Sequence, residues 1–260
     1  MRSRNVLAAA AFALASLPLL AQQPAAPAAG PHPKSNQEIE ALQKVQAAQK
    51  AGDWDGELAA INAVFENFAD TEFKPQLYSM AMAAAQQKND FVQITTWGQR
   101  AIEADPKNIE ARVTLAEATA QHTREHDLDK AESIKKVDDY ANKALELLKT
   151  ADTPPTGLPA EQWPKFKNEL TAQAYDALGQ AAALDKKFPE AIASYKSAIE
   201  ANPESPVANA RLAKAYIDNK QYDDAITTAD KVLAMNEAPP AVKKFAQQQK
   251  DNATKLKTAK

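Results

Sequence analysis

The chain has 260 residues, of which 45% are hydrophobic and 25% are charged, and its formal net charge is −3. This mildly acidic balance gives no electrostatic footprint for nucleic acid, and six scattered glycines cannot build the Gly-rich loop that holds nucleotide phosphates. The chain contains no cysteine, which excludes disulfides, thiol nucleophiles and cysteine-based metal sites.

The first residues have the pattern of a secretory signal peptide. Arg2 and Arg4 precede a mostly apolar run, 6–21, which is shorter than the roughly 20 residues that a membrane-spanning helix needs. We therefore expect a signal peptide at 1–21, whose cleavage leaves a periplasmic or secreted bacterial protein; an uncleaved N-terminal anchor is the alternative. Residues 22–35 are rich in proline and alanine without periodicity, and a disordered leader is predicted there.

Residues 171–203 carry the clearest helical pattern of the chain. Apolar and small residues recur there at helical spacing in two runs, with a short break at 185–187. Pro203 lacks an amide hydrogen and therefore ends the second predicted helix. The two runs predict a helical hairpin in which bulky residues of one helix pack against alanines of the other, where the backbones approach closely.

The same pattern recurs along the chain. Six positions of this hairpin are followed, 34 residues later, by similar side chains. They are Leu178, Gly179, Ala182, Phe188, Ala191 and Tyr195, which correspond to Leu212, Ala213, Tyr216, Tyr222, Ala225 and Ala229. Upstream, the segment AIEADP at 101–106 nearly matches AIEANP at 198–203. Because one hairpin cannot bury its apolar face alone, the repetition predicts a stack of hairpins.

This pattern resembles the tetratricopeptide repeat (TPR), which is about 34 residues long. Four residues match the family's pattern directly: Leu178, Gly179, Ala191 and Pro203. Three others stand at its aromatic positions: Tyr175, Ala182 and Tyr195. The resemblance implies an all-α fold, an α–α superhelix (TPR solenoid) of about five helical hairpins with a C-terminal capping helix.

Interruptions in the pattern divide the predicted solenoid. N-terminal TPR-like repeats are expected at 36–150, where the charged residues 122–140 either lengthen the third hairpin or form a loop. Four prolines and a glycine predict a rigid connection at 151–164. C-terminal TPR repeats are expected at 165–238, followed by a basic capping helix at 239–260.

The resemblance also implies a binding function. TPR proteins bind segments of other proteins in a concave groove that the first helices of successive repeats line. By this pattern ten residues are predicted to face the groove: Gln76, Ser79, Glu110, Val113, Glu117, Gln173, Asp176, Gln180, Ala210 and Lys214. The main hypothesis is therefore a non-catalytic protein–protein interaction scaffold of the bacterial cell envelope.

The expected partner is a protein or peptide segment, with no nucleic acid, nucleotide or other cofactor. Some TPR proteins hold an acidic chain terminus with basic and asparagine residues, and only Arg211 and Lys214 lie near the equivalent positions here. A neutral or mildly basic segment is therefore predicted. Membrane contact is not expected beyond an uncleaved N-terminus, and the pattern leaves the oligomeric state open; a self-associating structural envelope protein is one alternative.

One short motif points to different chemistry. His122, Glu125 and His126 have the HxxEH spacing of the inverzincin metalloproteases. On a helix, the two histidines would lie one turn apart and could bind zinc, with Glu125 as the general base for a metal-bound water. A zinc-dependent hydrolase is thus an alternative hypothesis, against the simpler interpretation of solvated histidines in a charged insertion. The sequence identifies no third ligand.

Overall fold

The computed structural model describes residues 30–155 and 158–259. The predicted signal peptide and the first part of the predicted leader lie outside these residues. The described part of the chain contains eleven α-helices and no strand. The helices are α1 (Asn36–Ala51), α2 (Trp54–Asn67), α3 (Lys74–Gln87), α4 (Phe91–Ala104), α5 (Ile109–His122), α6 (Lys130–Thr150), α7 (Trp163–Leu184), α8 (Phe188–Ala201), α9 (Pro206–Asp218), α10 (Tyr222–Ala234) and α11 (Pro240–Thr258). They confirm the predicted all-α fold of five hairpins and a final helix.

The chain folds into two compact units. The N-terminal unit holds α1–α4 with the start of α5, up to Ala111, and the short segment Thr153–Ala160. The C-terminal unit holds Arg112–Asp152 and the chain from Glu161 onward, which includes α6–α11.

Four hairpins share one tight turn. The residue two positions before the second helix has a positive φ in each of them: Gly52 (67°), Asn89 (54°), Lys186 (60°) and Lys220 (61°). The amide of the following residue donates to a carbonyl of the first helix in all four, as in the bond of 2.9 Å from Lys187 N to Ala182 O. This residue with a left-handed conformation ends the first helix and reverses the chain. Glycine adopts a left-handed conformation without strain, but it occupies this position only in the first hairpin.

Side-chain caps and aromatic packing fix the N-terminal unit. Asp53 and Asp90 accept hydrogen bonds from backbone amides in the first turns of α2 and α4, at 2.9 and 3.1 Å. Phe65, Tyr78 and Trp97 then join α2, α3 and α4 into one core, with ring centroids 4.9 to 6.2 Å apart.

The end of the predicted leader packs on this unit. The amide of His32 donates to Glu72 Oε2 at 3.1 Å, and Lys34 Nζ donates to Asp70 Oδ2 at 2.8 Å. Both acceptors lie in the turn between α2 and α3. Residues 30–35 are therefore held against the N-terminal unit, and the prediction of a disordered leader does not hold for them.

In the C-terminal unit, each helix from α6 to α10 packs against the next, and α11 contacts both α9 and α10. The closest approach is between α7 and α8, where a Cβ placed on Gly179 would lie 2.5 Å from the ring of Tyr195. The small residue predicted at this position is therefore required by the neighbouring aromatic ring. Ala246 and Ala253 of α11 are fully buried, which explains how a helix so rich in lysine caps the stack.

The structure resolves the two irregular regions of the sequence. After α5 ends at His122, residues 123–129 form a turn, and the remaining charged residues lengthen α6 to 21 residues. Helix α7 begins at Trp163 and has 22 residues, so the last two residues of the predicted connection form its first turn. Pro164 is compatible with that position because the first turn of a helix needs no amide donor there.

Candidate functional site

The first helices of the hairpins in the C-terminal unit, α5, α7 and α9, carry a cluster of polar side chains. Asp176 on α7 is 7% exposed. Its Oδ2 accepts a hydrogen bond of 3.0 Å from Gln180 Nε2 and an ion-pair contact from the guanidinium of Arg211 on α9. Its Oδ1 is buried without a hydrogen-bond partner among the described residues. A buried acceptor without a donor is unusual in a folded protein and calls for an explanation.

Glu117 on α5 adds a second carboxyl group to this cluster. Burial raises its pKa to about 7, the carboxylate of Asp176 contributes in the same direction, and Arg211 opposes the shift. Burial likewise raises the pKa of Asp176, against the stabilising contacts from Arg211 and Gln180. One guanidinium therefore serves two carboxyl groups, and the cluster has an excess of negative charge when both are ionised. We call Glu117, Asp176, Gln180 and Arg211 the acidic cluster.

A cleft of about 340 Å³ adjoins the acidic cluster. Its lining combines apolar side chains with charged ones and comprises Glu125, Ala183, Leu184, Lys186, Phe188, Tyr195, Arg211, Lys214, Ala215 and Asp218. Two ion pairs lie in this lining, Lys186 Nζ to Glu125 Oε1 at 2.9 Å and Lys214 Nζ to Asp218 Oδ2 at 2.6 Å. Arg211 belongs to both the cleft and the acidic cluster, so the two form one continuous surface.

Tyr195 closes the inner side of this surface. It lies on α8, is 3% exposed, and packs against Gly179 of α7. Burial raises the pKa of its hydroxyl, and the charge of Asp176 adds to that effect. The side chain is therefore a neutral phenol at physiological pH and contributes no charge to the cleft.

The structure places the predicted groove residues of this unit in different environments. Glu117, Asp176 and Gln180 come together in the acidic cluster, and Lys214 lines the adjoining cleft. Gln173 is half-buried on α7. By contrast Val113 and Ala210 are 1% and 2% exposed, so the prediction that they face the groove is corrected. Their small apolar side chains pack in the core; Ala210, for example, belongs to the core cluster between α9, α10 and α11.

The remaining three predicted residues belong to the N-terminal unit. Ser79 Oγ accepts a hydrogen bond of 3.0 Å from Asn108 Nδ2, and Gln76 Oε1 is buried without a partner among the described residues. Burial raises the pKa of Glu110 to about 7.

The sequence pattern identified Arg211 only as a basic residue near the positions that hold an acidic chain terminus in some TPR proteins. Its role as the counter-ion of Asp176 was not predicted. The signal was present, because Arg211 follows Asp176 by one repeat length plus one residue. Positions separated by a repeat length lie on the same face of successive first helices. Lys214 and Asp218 have the i,i+4 spacing at which opposite charges pair on a helix, whereas the ion pair Lys186–Glu125 had no comparable signal.

The HxxEH motif does not form the arrangement that zinc binding requires. Helix α5 ends at His122, so Glu125 and His126 lie in the following turn and not on the same helix. Both histidines are exposed, and Glu125 pairs with Lys186, which lowers the pKa of its carboxyl. Within residues 30–155 and 158–259, no group of three histidine, aspartate or glutamate side chains has an arrangement that could hold a metal ion.

None of the helices in the described residues is both long and apolar enough to span a bilayer.

A family model, the tetratricopeptide repeat, matches residues 182–248, which extend from the end of α7 into α11. No curated protein sequence matches the chain.

Solved structures show the same fold at low sequence identity. MamA is 16% identical over 77% of this chain and 92% of its own, with a TM-score of 0.57. PilW, a type IV pilus biogenesis factor, is 17% identical over 86% of this chain and 94% of its own, with a TM-score of 0.57. YrrB, a TPR protein with an unusual peptide-binding site, is 16% identical over 82% and 94%, with a TM-score of 0.55. Residues 182–248 therefore match the tetratricopeptide repeat by sequence, and the chain shares the fold of these solved structures over most of its length.

Proposed function

We propose that the chain is a non-catalytic protein–protein interaction scaffold that binds a segment of a partner protein on the C-terminal unit. The observation that carries this proposal is the continuous surface formed by the acidic cluster and the adjoining cleft. Binding sites are typically concave, with an apolar lining and a few placed polar groups, and the cleft has this composition.

The fold supports a binding role. Helices α5, α7 and α9 form successive first helices of a packed stack, so their side chains are presented on a preformed surface that needs little rearrangement on binding. YrrB, which shares the fold, is described as having a peptide-binding site. We infer that this chain uses its first helices for the same kind of ligand.

The shifted pKa values of the acidic cluster do not favour an enzyme. A catalytic carboxylate must reach the reacting atoms of a substrate. Asp176 Oδ2 is occupied by Arg211 and Gln180, and Asp176 Oδ1 is buried. Neither oxygen of Asp176 is therefore available to a substrate, and we propose no reaction at this site.

We also propose that the protein acts in the bacterial cell envelope after export. This part rests on Arg2, Arg4 and the apolar run that follows them. Intact-mass measurement of the protein from an envelope fraction tests it. We expect a mature chain that begins at Gln22, and a mass that includes residues 1–21 would contradict cleavage.

The binding proposal is tested with peptides selected from a random dodecapeptide display library on the mature protein. Their affinities are then measured for Lys214→Trp, which places a bulky ring in the cleft lining. Lys231→Trp is the matched control, because Lys231 is an exposed lysine on α10, a second helix. Lys214 is itself exposed, so neither variant disturbs the core.

We expect Lys214→Trp to weaken binding of the selected peptides at least tenfold, and Lys231→Trp to leave it unchanged. Equal affinities for both variants would show that the peptides bind outside the cleft. A library that yields no binding peptide would refute the proposed function as a whole.

A further inference from the structure

We propose that the hydroxyl group of Tyr195 donates a hydrogen bond to the bound segment, and that its acceptor is an uncharged main-chain carbonyl oxygen of that segment. This inference rests on the proposed function, because it names one contact made by the same partner in the same cleft. It is carried by a hydroxyl that the fold leaves without a partner, by the pairing of the charged side chains around it, and by the apolar lining beside it.

Tyr195 is a largely buried polar side chain that lines the cleft. It is 3% exposed, and its ring packs closely against Gly179. Its hydroxyl makes no hydrogen bond within the described part of the chain, yet solvent reaches the oxygen, in contrast to the fully buried Asp176 Oδ1. A tyrosine hydroxyl in so buried a side chain normally has a partner. A group bound in the cleft would supply the missing one.

The hydroxyl keeps its proton and therefore needs an acceptor. Burial raises the pKa of Tyr195, and the charges of Asp176 and Asp218 add to that effect, while Arg211 opposes it. The side chain is thus a neutral phenol with one O–H donor at physiological pH. A ligand that only donated to the phenol oxygen would leave this O–H without an acceptor.

The charged side chains around the hydroxyl need no counter-ion from a ligand. Each cation of the cleft lining is already paired with a carboxylate of the protein. The three pairs are Lys186 with Glu125, Lys214 with Asp218, and Arg211 with Asp176. An anionic acceptor would add a negative charge to this balanced site, and the carboxylates of Asp176 and Asp218, which act on the hydroxyl, would repel it. An uncharged carbonyl oxygen satisfies the hydroxyl and leaves the charges balanced.

The apolar part of the lining favours a carbonyl of the main chain. Leu184, Phe188 and Ala215 line the same cleft as the hydroxyl. A residue of a peptide carries both a side chain and a main-chain carbonyl, so an apolar side chain packed on this lining brings an uncharged acceptor with it. A side-chain amide would supply the acceptor only by giving up the apolar contact.

The experiment compares Tyr195→Phe, which removes the hydroxyl and keeps the ring that packs on Gly179, with Tyr216→Phe. Tyr216 is the matched control, because it is largely buried in the same unit and does not belong to the cleft lining. The probes are the selected dodecapeptides whose binding Lys214→Trp weakens. Calorimetry gives the affinities of the parent protein and both variants, and urea unfolding checks that the variants are as stable as the parent.

We expect Tyr195→Phe to weaken binding about tenfold, because the carbonyl of the segment then loses its donor in a largely buried contact. Tyr216→Phe should leave binding unchanged. Equal affinities of Tyr195→Phe and the parent for these peptides would overturn the contact and leave the proposed function standing. If Lys214→Trp weakens no selected peptide, the proposed function fails and this inference fails with it.

A second measurement identifies the acceptor. Each main-chain amide of one peptide is replaced in turn by an ester, which makes the carbonyl a weaker acceptor and leaves the side chains unchanged. At one position the ester should weaken binding about fivefold to the parent and to Tyr216→Phe, and have little effect on Tyr195→Phe. The amide N–H is lost equally in all three proteins, so that difference reports the bond from Tyr195 to the carbonyl. Coupling of Tyr195→Phe to a carboxylate or amide side chain of the peptide, and to no ester, would overturn the main-chain acceptor.

Discussion

Glu57 is a carboxylate in the core of the N-terminal unit, and its ionisation should limit the stability of that unit. It lies in the first turn of α2, is 1% exposed, and neither carboxylate oxygen has a hydrogen-bond partner among the described residues. Burial raises its pKa from about 4.5 to about 7. The repeat pattern has a small residue at this position, such as the buried Ala191 of α8.

The sign of the effect follows from the direction of the shift. A carboxyl group with a higher pKa in the folded state binds its proton more tightly there than in the unfolded chain. The unit is therefore most stable when Glu57 is protonated, and stability is lost as pH rises from about 4.5 through 7. A rise of about 2.5 pKa units corresponds to a loss of about 3 kcal/mol at pH 8 relative to pH 4.

The assay is urea unfolding of Glu57→Gln at pH 5 and pH 8. A Trp163→Phe background leaves Trp54 and Trp97, both in the N-terminal unit, as the only fluorescent tryptophans. Glu66→Gln is the control, because Glu66 is an exposed carboxylate on the same helix.

Glu57→Gln should be more stable than its parent by about 2 kcal/mol at pH 8 and by much less at pH 5, because the parent is largely protonated there. Glu66→Gln should have the same free energy of unfolding as the parent at both pH values. An equal difference between Glu57→Gln and its parent at the two pH values would refute the reasoning, since a change of shape or packing alone does not depend on pH.

Three further predictions concern the C-terminal unit. Gly179→Ala should lower the free energy of unfolding by about 1–3 kcal/mol because its methyl group would collide with the ring of Tyr195, and Tyr195→Leu should make the same change nearly neutral; an unchanged urea midpoint would contradict the close packing. Arg211→Met should lower the free energy of unfolding by about 3 kcal/mol at pH 8, because it leaves the buried carboxylate of Asp176 without its counter-ion. The loss should be smaller at pH 5, where Asp176 can bind a proton. Equal losses at the two pH values would contradict an ionised Asp176. Added zinc should leave the melting temperature unchanged for both the unmodified protein and His122→Ala/His126→Ala, and a zinc-dependent rise confined to the unmodified protein would support the metal hypothesis.

Local periodicity was sufficient to predict the hairpins. Residues 171–203 were expected to form two helices with a break at 185–187, and the structure has α7 and α8 separated by Asp185–Lys187. The prediction worked because the spacing of apolar and small residues directly reflects the face that each helix buries. The position of Gly179 was also informative, because the neighbouring ring leaves no space for a Cβ.

Helix ends were harder to predict, because the same residue type has opposite meanings at different positions. Pro164 was interpreted as part of a rigid connection, yet it lies in the first turn of α7, where proline is favoured. Lys186 adopts a left-handed conformation, which is uncommon for lysine and could not be predicted from its residue type. The turn is imposed by the packing of the two helices that it joins.

The candidate site was predictable only in part. The repeat register placed Glu117, Asp176 and Gln180 on first helices, and the structure brings them together. The register alone did not separate surface from core, so Val113 and Ala210 were assigned to the groove although both are buried. Whether such a side chain is buried depends on the distance between neighbouring first helices, and that distance cannot be read from one sequence.

The most direct test of the binding surface is amide hydrogen exchange of the mature protein with and without a selected peptide. The account predicts peptide-dependent protection in the first helices of the C-terminal unit, at 112–122, 163–184 and 206–218, with little change in the second helices. Protection confined to α8, α10 or α11, or to the N-terminal unit, would contradict the proposal that the acidic cluster and its cleft form the binding site.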